Sequence, residues 1–138
     1  MSETSLPITG GCGCGAIRFE VDASFVSAAY CHCTRCQRRS GTAASASARV
    51  RPGSFSIVTG KEELRTWAPA GGSEKVFCGL CGSAMFSRSP VDPDVVGVRL
   101  GALDDDPGIR PQWHQYVAYK ASWQPLPDDG LPRYPESA

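Results

Sequence analysis

The sequence predicts a mostly β fold built from short antiparallel strands, on two observations. Glycine and proline, at 15 and 11 of 138 residues, interrupt the chain at short intervals. The segments between them are brief and rich in β-branched and aromatic residues, as strands are. No window holds a long apolar period of 3.6 residues, so we expect helix to be a minor component.

Nine segments are predicted to be strands: residues 16–21, 26–31, 43–50, 54–58, 64–67, 75–78, 84–87, 95–100 and 113–119. The first alternates apolar and polar residues, the pattern of a half-buried strand. Residues 34–39 are predicted to form at most one helical turn. The proline-rich tail, residues 125–138, cannot donate ladder hydrogen bonds at its prolines and is expected to wrap the surface. We therefore expect one domain over residues 1–138, with its core at about 9–124.

The charge balance gives no reason to expect a nucleic acid as partner, because Lys plus Arg and Asp plus Glu both number 14. No stretch approaches the roughly 18 apolar residues that a membrane span requires. Residues 1–11 lack the basic and apolar regions of a secretory signal. The sequence therefore predicts a cytoplasmic protein that neither spans a membrane nor binds nucleic acid.

Seven cysteines in three short clusters are the main functional signal. In a reducing compartment, such clusters are more often metal sites than disulfides, and an odd number cannot all pair. Seven thiolates would complete one four-ligand zinc site. They would leave a second zinc with three ligands and an open coordination position for a substrate.

Two of the clusters are pairs. Residues i and i+2 of a strand face the same way, so Cys12 and Cys14 could aim both sulfurs at one ion. Cys78 and Cys81 have the spacing of a zinc knuckle, with a nearby glycine after each to permit the tight turn. Each pair alone is an incomplete site.

The remaining cluster is a trio, Cys31, Cys33 and Cys36. The first two have strand spacing and the third would return from the following turn, so one short segment could supply three corners of a tetrahedron. The simplest partition joins the two pairs and leaves the trio by itself. The trio could also recruit a cysteine from one of the pairs.

Three motifs around these cysteines resemble the signatures of one known family. They are GGCGCGAIR at residues 10–18, CHCTRCQRRSG at 31–41 and FCGLCG at 77–82. Together with WH at 113–114, KASW at 120–123 and DGLP at 129–132, they are similar to the glutathione-dependent formaldehyde-activating enzyme (GFA) family, which also includes centromere protein V.

The resemblance implies a zinc-stapled, mostly β fold, similar to small zinc-binding exchange-factor-like domains, with two zinc ions. The residues that match the structural zinc ligands are Cys12, Cys14, Cys78 and Cys81, and those that match the catalytic zinc ligands are Cys31, Cys33 and Cys36. The implied activity is that of a carbon–sulfur lyase acting on S-hydroxymethylglutathione, the adduct of glutathione and formaldehyde.

A three-thiolate site suits this chemistry. With zinc it would keep a net charge of about −1, which makes the metal a weak Lewis acid for water. A soft ion with an open position suits a substrate thiol, whose pKa falls on coordination so that the thiolate can attack an aldehyde. The expected partners are therefore a small thiol, glutathione above all, and a small aldehyde.

Polar side chains in and after the trio are candidates for binding glutathione. They are Arg35, Gln37, Arg38 and Arg39. A guanidinium matches a carboxylate through two parallel hydrogen bonds, and an amide could add a third contact. The alternative is that the cations offset the thiolate charge or lie solvated on a turn.

Two histidines have open roles. Strand alternation turns His32 away from the metal, which favours a hydrogen-bonding or pocket-wall role over ligation. His114 could pass a proton to the alkoxide of a nascent hemithioacetal. It could equally be a satisfied, half-buried strand histidine.

A different class of function stays open. Both zinc sites could be structural in a non-catalytic module that binds a protein or another macromolecule, since a fold does not fix a function. The two hypotheses differ at the trio, because only the enzyme needs an open fourth position there.

Overall fold

The protein forms two β-sheets that share one apolar core. The computed structural model describes residues 5–138. The smaller sheet is antiparallel and contains, side by side in this order, β1 (Ile8–Gly11), β2 (Arg18–Val21) and β5 (Phe55–Thr59).

The larger sheet has seven strands. In spatial order they are β10 (His114–Gln115), β3 (Ser27–Cys31), β4 (Ser45–Arg49), β9 (Val96–Arg99), β8 (Ala84–Arg88), β7 (Glu74–Cys78) and β6 (Leu64–Trp67). Neighbouring strands are antiparallel, except that β10 runs parallel to β3. The predicted mostly β fold of short, largely antiparallel strands is confirmed.

Helix is the minor component. The α-helix α1 (Thr34–Ser40) has seven residues, longer than the single turn that the sequence predicts. Cys33 extends it at the N-terminus, where its Sγ accepts a hydrogen bond from Cys36 N (3.2 Å), and Gly41 ends it with φ of 69°. Within the described residues, three short 3-10 helices lie at 61–63, 100–102 and 117–119. Across residues 5–138, no helix has the length and apolar character that crossing a bilayer demands.

Three phenylalanines join the two sheets across the core. Phe19 of β2 packs on Phe55 of β5, with ring centroids 5.4 Å apart. Phe55 in turn packs on Phe86 of β8 in the larger sheet, at 4.7 Å. Phe19 has no exposed surface, so its burial stabilises the fold both by removing apolar surface from water and by close packing.

Replacing Phe19 with alanine is expected to lower the free energy of unfolding by about 3–5 kcal/mol, because it removes a buried ring and leaves a cavity between the sheets. Urea denaturation of the metal-loaded protein measures this change. Val91→Ala is the control, since Val91 is 91% exposed and its truncation should alter stability by less than about 0.5 kcal/mol. A cost below about 1 kcal/mol for Phe19→Ala would contradict this description of the core.

Strand β1 is absent from the sequence prediction, and its glycines explain why. Glycine is a poor strand former in general. Close packing requires a glycine at position 10, because a Cβ there would lie 2.6 Å from Phe19 Cζ and 2.5 Å from Ala102 O. The strand therefore exists because of tertiary contacts that its local sequence does not signal.

The predicted strand at 113–119 is mostly wrong. Only His114 and Gln115 pair as a strand, because Tyr116 takes a left-handed conformation (φ 58°) and a 3-10 helix follows. The proline-rich tail then runs beside β10. Tyr134 N donates to His114 O (2.9 Å), and His114 N donates to Pro132 O (2.9 Å). Proline lacks an N–H but keeps its carbonyl acceptor, so the tail still contributes hydrogen bonds at this sheet edge.

Candidate metal centres and the adjoining cavity

The four-cysteine cluster consists of Cys12, Cys14, Cys78 and Cys81. Their sulfurs all lie within 4.8 Å of one another, with Sγ–Sγ distances of 3.6 Å between Cys12 and Cys14 and 3.9 Å between Cys14 and Cys78. In a tetrahedral site with Zn–S bonds of about 2.3 Å, the sulfurs stand about 3.8 Å apart. The spacing and the donor atoms fit zinc.

Two turns, one from each sheet, build this cluster. Cys12 and Cys14 lie in the turn between β1 and β2, where Gly15 N donates to Cys12 O (3.1 Å). The prediction that this pair lies on a strand is therefore wrong. The turn contacts the β7–β8 connection directly, because Gly13 N donates to Ser83 Oγ (2.9 Å).

Hydrogen bonds favour the anionic form of two sulfurs in the four-cysteine cluster, those of Cys78 and Cys81. Leu80 N and Cys81 N donate to Cys78 Sγ at 3.3 and 3.5 Å. The Ser83 hydroxyl, with help from its backbone, lowers the pKa of the Cys81 thiol to about 5. A thiolate is the form of cysteine that binds zinc, so this environment favours the metal-bound form at neutral pH.

The trio cluster consists of Cys31, Cys33 and Cys36. Cys31 is the last residue of β3, Cys33 caps α1, and Cys36 lies in the first turn of the helix. The three sulfurs lie within 4.8 Å of one another, which fits three corners of a tetrahedral zinc site. Within residues 5–138, no fourth cysteine, histidine or carboxylate has a ligand atom within 4.8 Å of all three.

The electrostatics of the trio also favour a bound cation. A hydrogen bond from Cys31 lowers the pKa of Cys36, and the Ser45 hydroxyl and the positive charge of Arg99 act in the same direction against the opposing effect of burial. The same hydrogen bond raises the pKa of Cys31. The trio therefore holds a thiolate near neutral pH, the ionisation state that a metal requires.

A cavity of about 250 Å³ opens beside the trio, with Cys31 and Cys36 in its wall. Small side chains from the larger sheet and its loops form much of the lining, including six serines: Ser27, Ser45, Ser47, Ser73, Ser87 and Ser89. Three cations also reach it, namely Arg49, Lys75 and Arg88, and no Asp or Glu of the described chain is among the lining residues. The cavity is polar, and the charged side chains that line it are cationic apart from the cysteines of the trio.

Sequence reasoning did not identify this cavity, although strand β4 carries a signal for it. The alternation Ser45-Ala46-Ser47-Ala48-Arg49 places small polar residues on one face of a strand. The register confirms the placement, because Cys31 pairs with Ser45 and Ala29 pairs with Ser47. A strand of small residues leaves space beside the trio where bulky side chains would fill it.

Both histidines belong to a hydrogen-bonded chain that stays outside the cavity lining. Asp129 accepts from His114 Nε2 (2.8 Å), and His114 Nδ1 lies 2.9 Å from His32 Nε2. In the tautomer whose proton lies on Nε2 toward the carboxylate, His114 Nδ1 accepts a hydrogen bond from His32 Nε2. Tyr30 stacks on the His114 ring at 5.0 Å. His32 is hydrogen-bonded and His114 is a satisfied buried histidine, so together they tie the tail to the loop of the trio.

The four candidate glutathione contacts all belong to α1 and lie outside the cavity lining. Gln37 Nε2 donates to His32 O and Tyr119 O, each at 2.8 Å. Arg35 lies so close to Gly72 that a Cβ there would collide with its guanidinium. Arg38 is exposed. Arg39 packs over the Phe77 ring at 5.0 Å. Contacts of these residues with glutathione stay a prediction.

Comparison with known proteins agrees with the fold and the cysteine pattern. A solved structure of a Rhodobacter sphaeroides protein is similar to this chain with a TM-score of 0.60 and 25% sequence identity, over 92% of this chain and 99% of that one. Residues 7–119 match the sequence profile described as glutathione-dependent formaldehyde-activating enzyme (GFA). This match includes all seven cysteines and covers most of the 138 residues, and the chain therefore belongs to the GFA family.

Proposed function

We propose that the protein is a cytoplasmic, zinc-dependent carbon–sulfur lyase of GFA type. It carries two zinc ions, one structural in the four-cysteine cluster and one catalytic in the trio. Its substrate is a thiol–aldehyde adduct such as S-hydroxymethylglutathione, formed from glutathione and formaldehyde.

The observation that carries this proposal is the asymmetry between the two cysteine clusters. One brings four sulfurs together and the other brings three, and two of the three cysteines of the trio, Cys31 and Cys36, line the cavity. A structural zinc site is normally closed by four protein ligands, whereas a catalytic one keeps a position for substrate. The trio has the second arrangement, which argues against a module with two purely structural sites.

The proposed reaction needs few groups. Zinc in the trio would supply a soft Lewis acid at which a substrate thiol loses its proton. In the synthetic direction, the sulfur lone pair forms a bond to the formaldehyde carbon, the carbonyl π electrons move to oxygen, and that oxygen takes up a proton. The hydroxyl of Ser47, which lines the cavity and accepts from Arg99 Nη1 (3.2 Å), keeps its own hydrogen to donate to the oxygen as that atom gains charge.

Exchange NMR tests the named reaction. With ¹³C-formaldehyde, glutathione and a catalytic amount of the zinc-loaded protein, the exchange between free formaldehyde and its adduct is expected to run faster than the spontaneous reaction. S-methylglutathione is the control, because it has no free thiol and cannot form the adduct. An exchange rate equal to the spontaneous rate would rule out glutathione and formaldehyde as substrates.

A further inference from the structure

We infer that Lys75 sets the substrate preference of the cavity by pairing with a carboxylate of the thiol that binds there. The inference rests on the proposed function, since it takes a thiol sulfur at the trio as its starting point. It adds a specificity residue and a charge requirement for the substrate, on a strand that is remote in sequence from the trio.

Strand register places Lys75 in a row of cavity-lining residues that crosses four strands of the larger sheet. Lys75 of β7 pairs with Ser87 of β8, which pairs with Gly97 of β9, and Gly97 pairs with Arg49 of β4. Residues directly opposite one another on neighbouring strands project from the same face of a sheet. The row therefore has a cation at each end and two small residues between them, all four of which line the cavity.

The ammonium group of Lys75 has no partner among the described residues. No side-chain hydrogen bond or ion pair engages it, although the side chain is half-buried. Arg88, which lines the same cavity, is by contrast paired with Glu74 at 3.4 Å. Burial lowers the pKa of Lys75, while the Cys36 thiolate opposes that shift. An anionic group on a ligand would form a charge-assisted hydrogen bond with this half-buried cation and so lower its free energy.

The size and lining of the cavity indicate which anion fits. At about 250 Å³ it is smaller than the 300–1,000 Å³ typical of sites for drug-sized ligands. It therefore suits a short thiol, or the thiol-bearing part of a longer one, with its acidic group near the sulfur. Serine hydroxyls beside Lys75, such as Ser73 and Ser87, can donate further hydrogen bonds to a carboxylate.

A simpler role for Lys75 makes a different prediction. If the lysine only offsets the negative charge of the trio, its loss should alter the binding of every thiol to the same extent, whatever the charge of that thiol. If it recognises a carboxylate, its loss should weaken only acidic thiols. Matched acidic and neutral ligands therefore separate the two roles.

The test is isothermal titration calorimetry on the zinc-loaded protein with 3-mercaptopropionate and with 3-mercaptopropionamide, which differ in charge and hardly in size. Glutathione and its diethyl ester give the same comparison for a longer thiol. The variant is Lys75→Met, which keeps the aliphatic stem and removes the charge. Lys61→Met is the matched control, because Lys61 is exposed and lies outside the cavity. The zinc content of each variant is measured in parallel.

We expect the unmodified protein and Lys61→Met to bind at least one acidic thiol about 10-fold or more tightly than its neutral counterpart. In Lys75→Met that preference should fall to about 2-fold or less, with neutral-thiol affinity and zinc content unchanged. A preference that survives in Lys75→Met, or an equal loss for acidic and neutral thiols, would overturn the inference and leave the proposed function standing. Failure of every thiol to bind would overturn both the inference about Lys75 and the proposed function.

Discussion

Replacing Cys78 with serine is expected to remove one zinc ion and most of the stability of the protein. Cys78 is fully buried at the end of β7, and its sulfur belongs to the cluster that joins the β1–β2 turn to the β7–β8 connection. Structural zinc sites in small domains contribute on the order of 10 kcal/mol or more to folding. The whole stability of a domain is typically about 5–15 kcal/mol, so losing this site should unfold much of the chain at ordinary temperature.

Metal analysis and thermal denaturation followed by circular dichroism measure both consequences of Cys78→Ser. Cys36→Ser is the matched control, because it removes one sulfur from the other cluster by the same substitution. A Cys78→Ser protein that keeps two zinc ions, or that melts within a few degrees of the unmodified protein, would show that the four-cysteine cluster does not hold the sheets together.

Replacing Cys36 with serine is expected to abolish the reaction while the fold survives. Cys36 is buried in the first turn of α1 and supplies one of only three sulfurs in the trio. Substitution of residues that merely support metal ligands commonly costs 10–100-fold, so loss of a ligand should cost roughly 100-fold or more in the exchange rate. The four-cysteine cluster would be untouched, and the variant should retain one zinc ion.

The same exchange NMR measurement, with metal analysis and a melting curve on the same preparation, checks this expectation. Activity near that of the unmodified protein in a variant that has lost the second zinc ion would remove the trio from the catalytic mechanism. Unfolding as complete as that of Cys78→Ser would show that the trio is a structural site.

The grouping of the cysteines could be anticipated from sequence because ligand spacing is a local property. The trio lies within six residues, which limits how far its sulfurs can separate, and each pair spans three or four residues. The edge strand Leu64–Trp67 was predicted with the bounds that the structure has, since its residues combine β-branched and aromatic character in a short run between turns.

Other features depend on contacts between distant parts of the chain. Strand β1 requires Gly10 because of Phe19 and Ala102. Ala102 lies far outside any local window, and the sequence does not show that either residue contacts Gly10. The chain from Asp129 through His114 to His32 joins residues that are up to 97 positions apart. The position of Lys75 above the cavity follows from strand order, because β8 and β9 separate it from β4. Sequence periodicity indicates which residues of a strand share a face. It does not indicate which other strand lies beside that strand in the sheet.

A crystal structure of the zinc-loaded protein with glutathione tests the central claim most directly, namely that one cluster is closed and the other is open. We expect four cysteine sulfurs around the zinc of the four-cysteine cluster. At the trio we expect three, with the glutathione sulfur about 2.3 Å from the second zinc as its fourth ligand. A fourth ligand from the protein itself at that position, with glutathione excluded, would contradict the account.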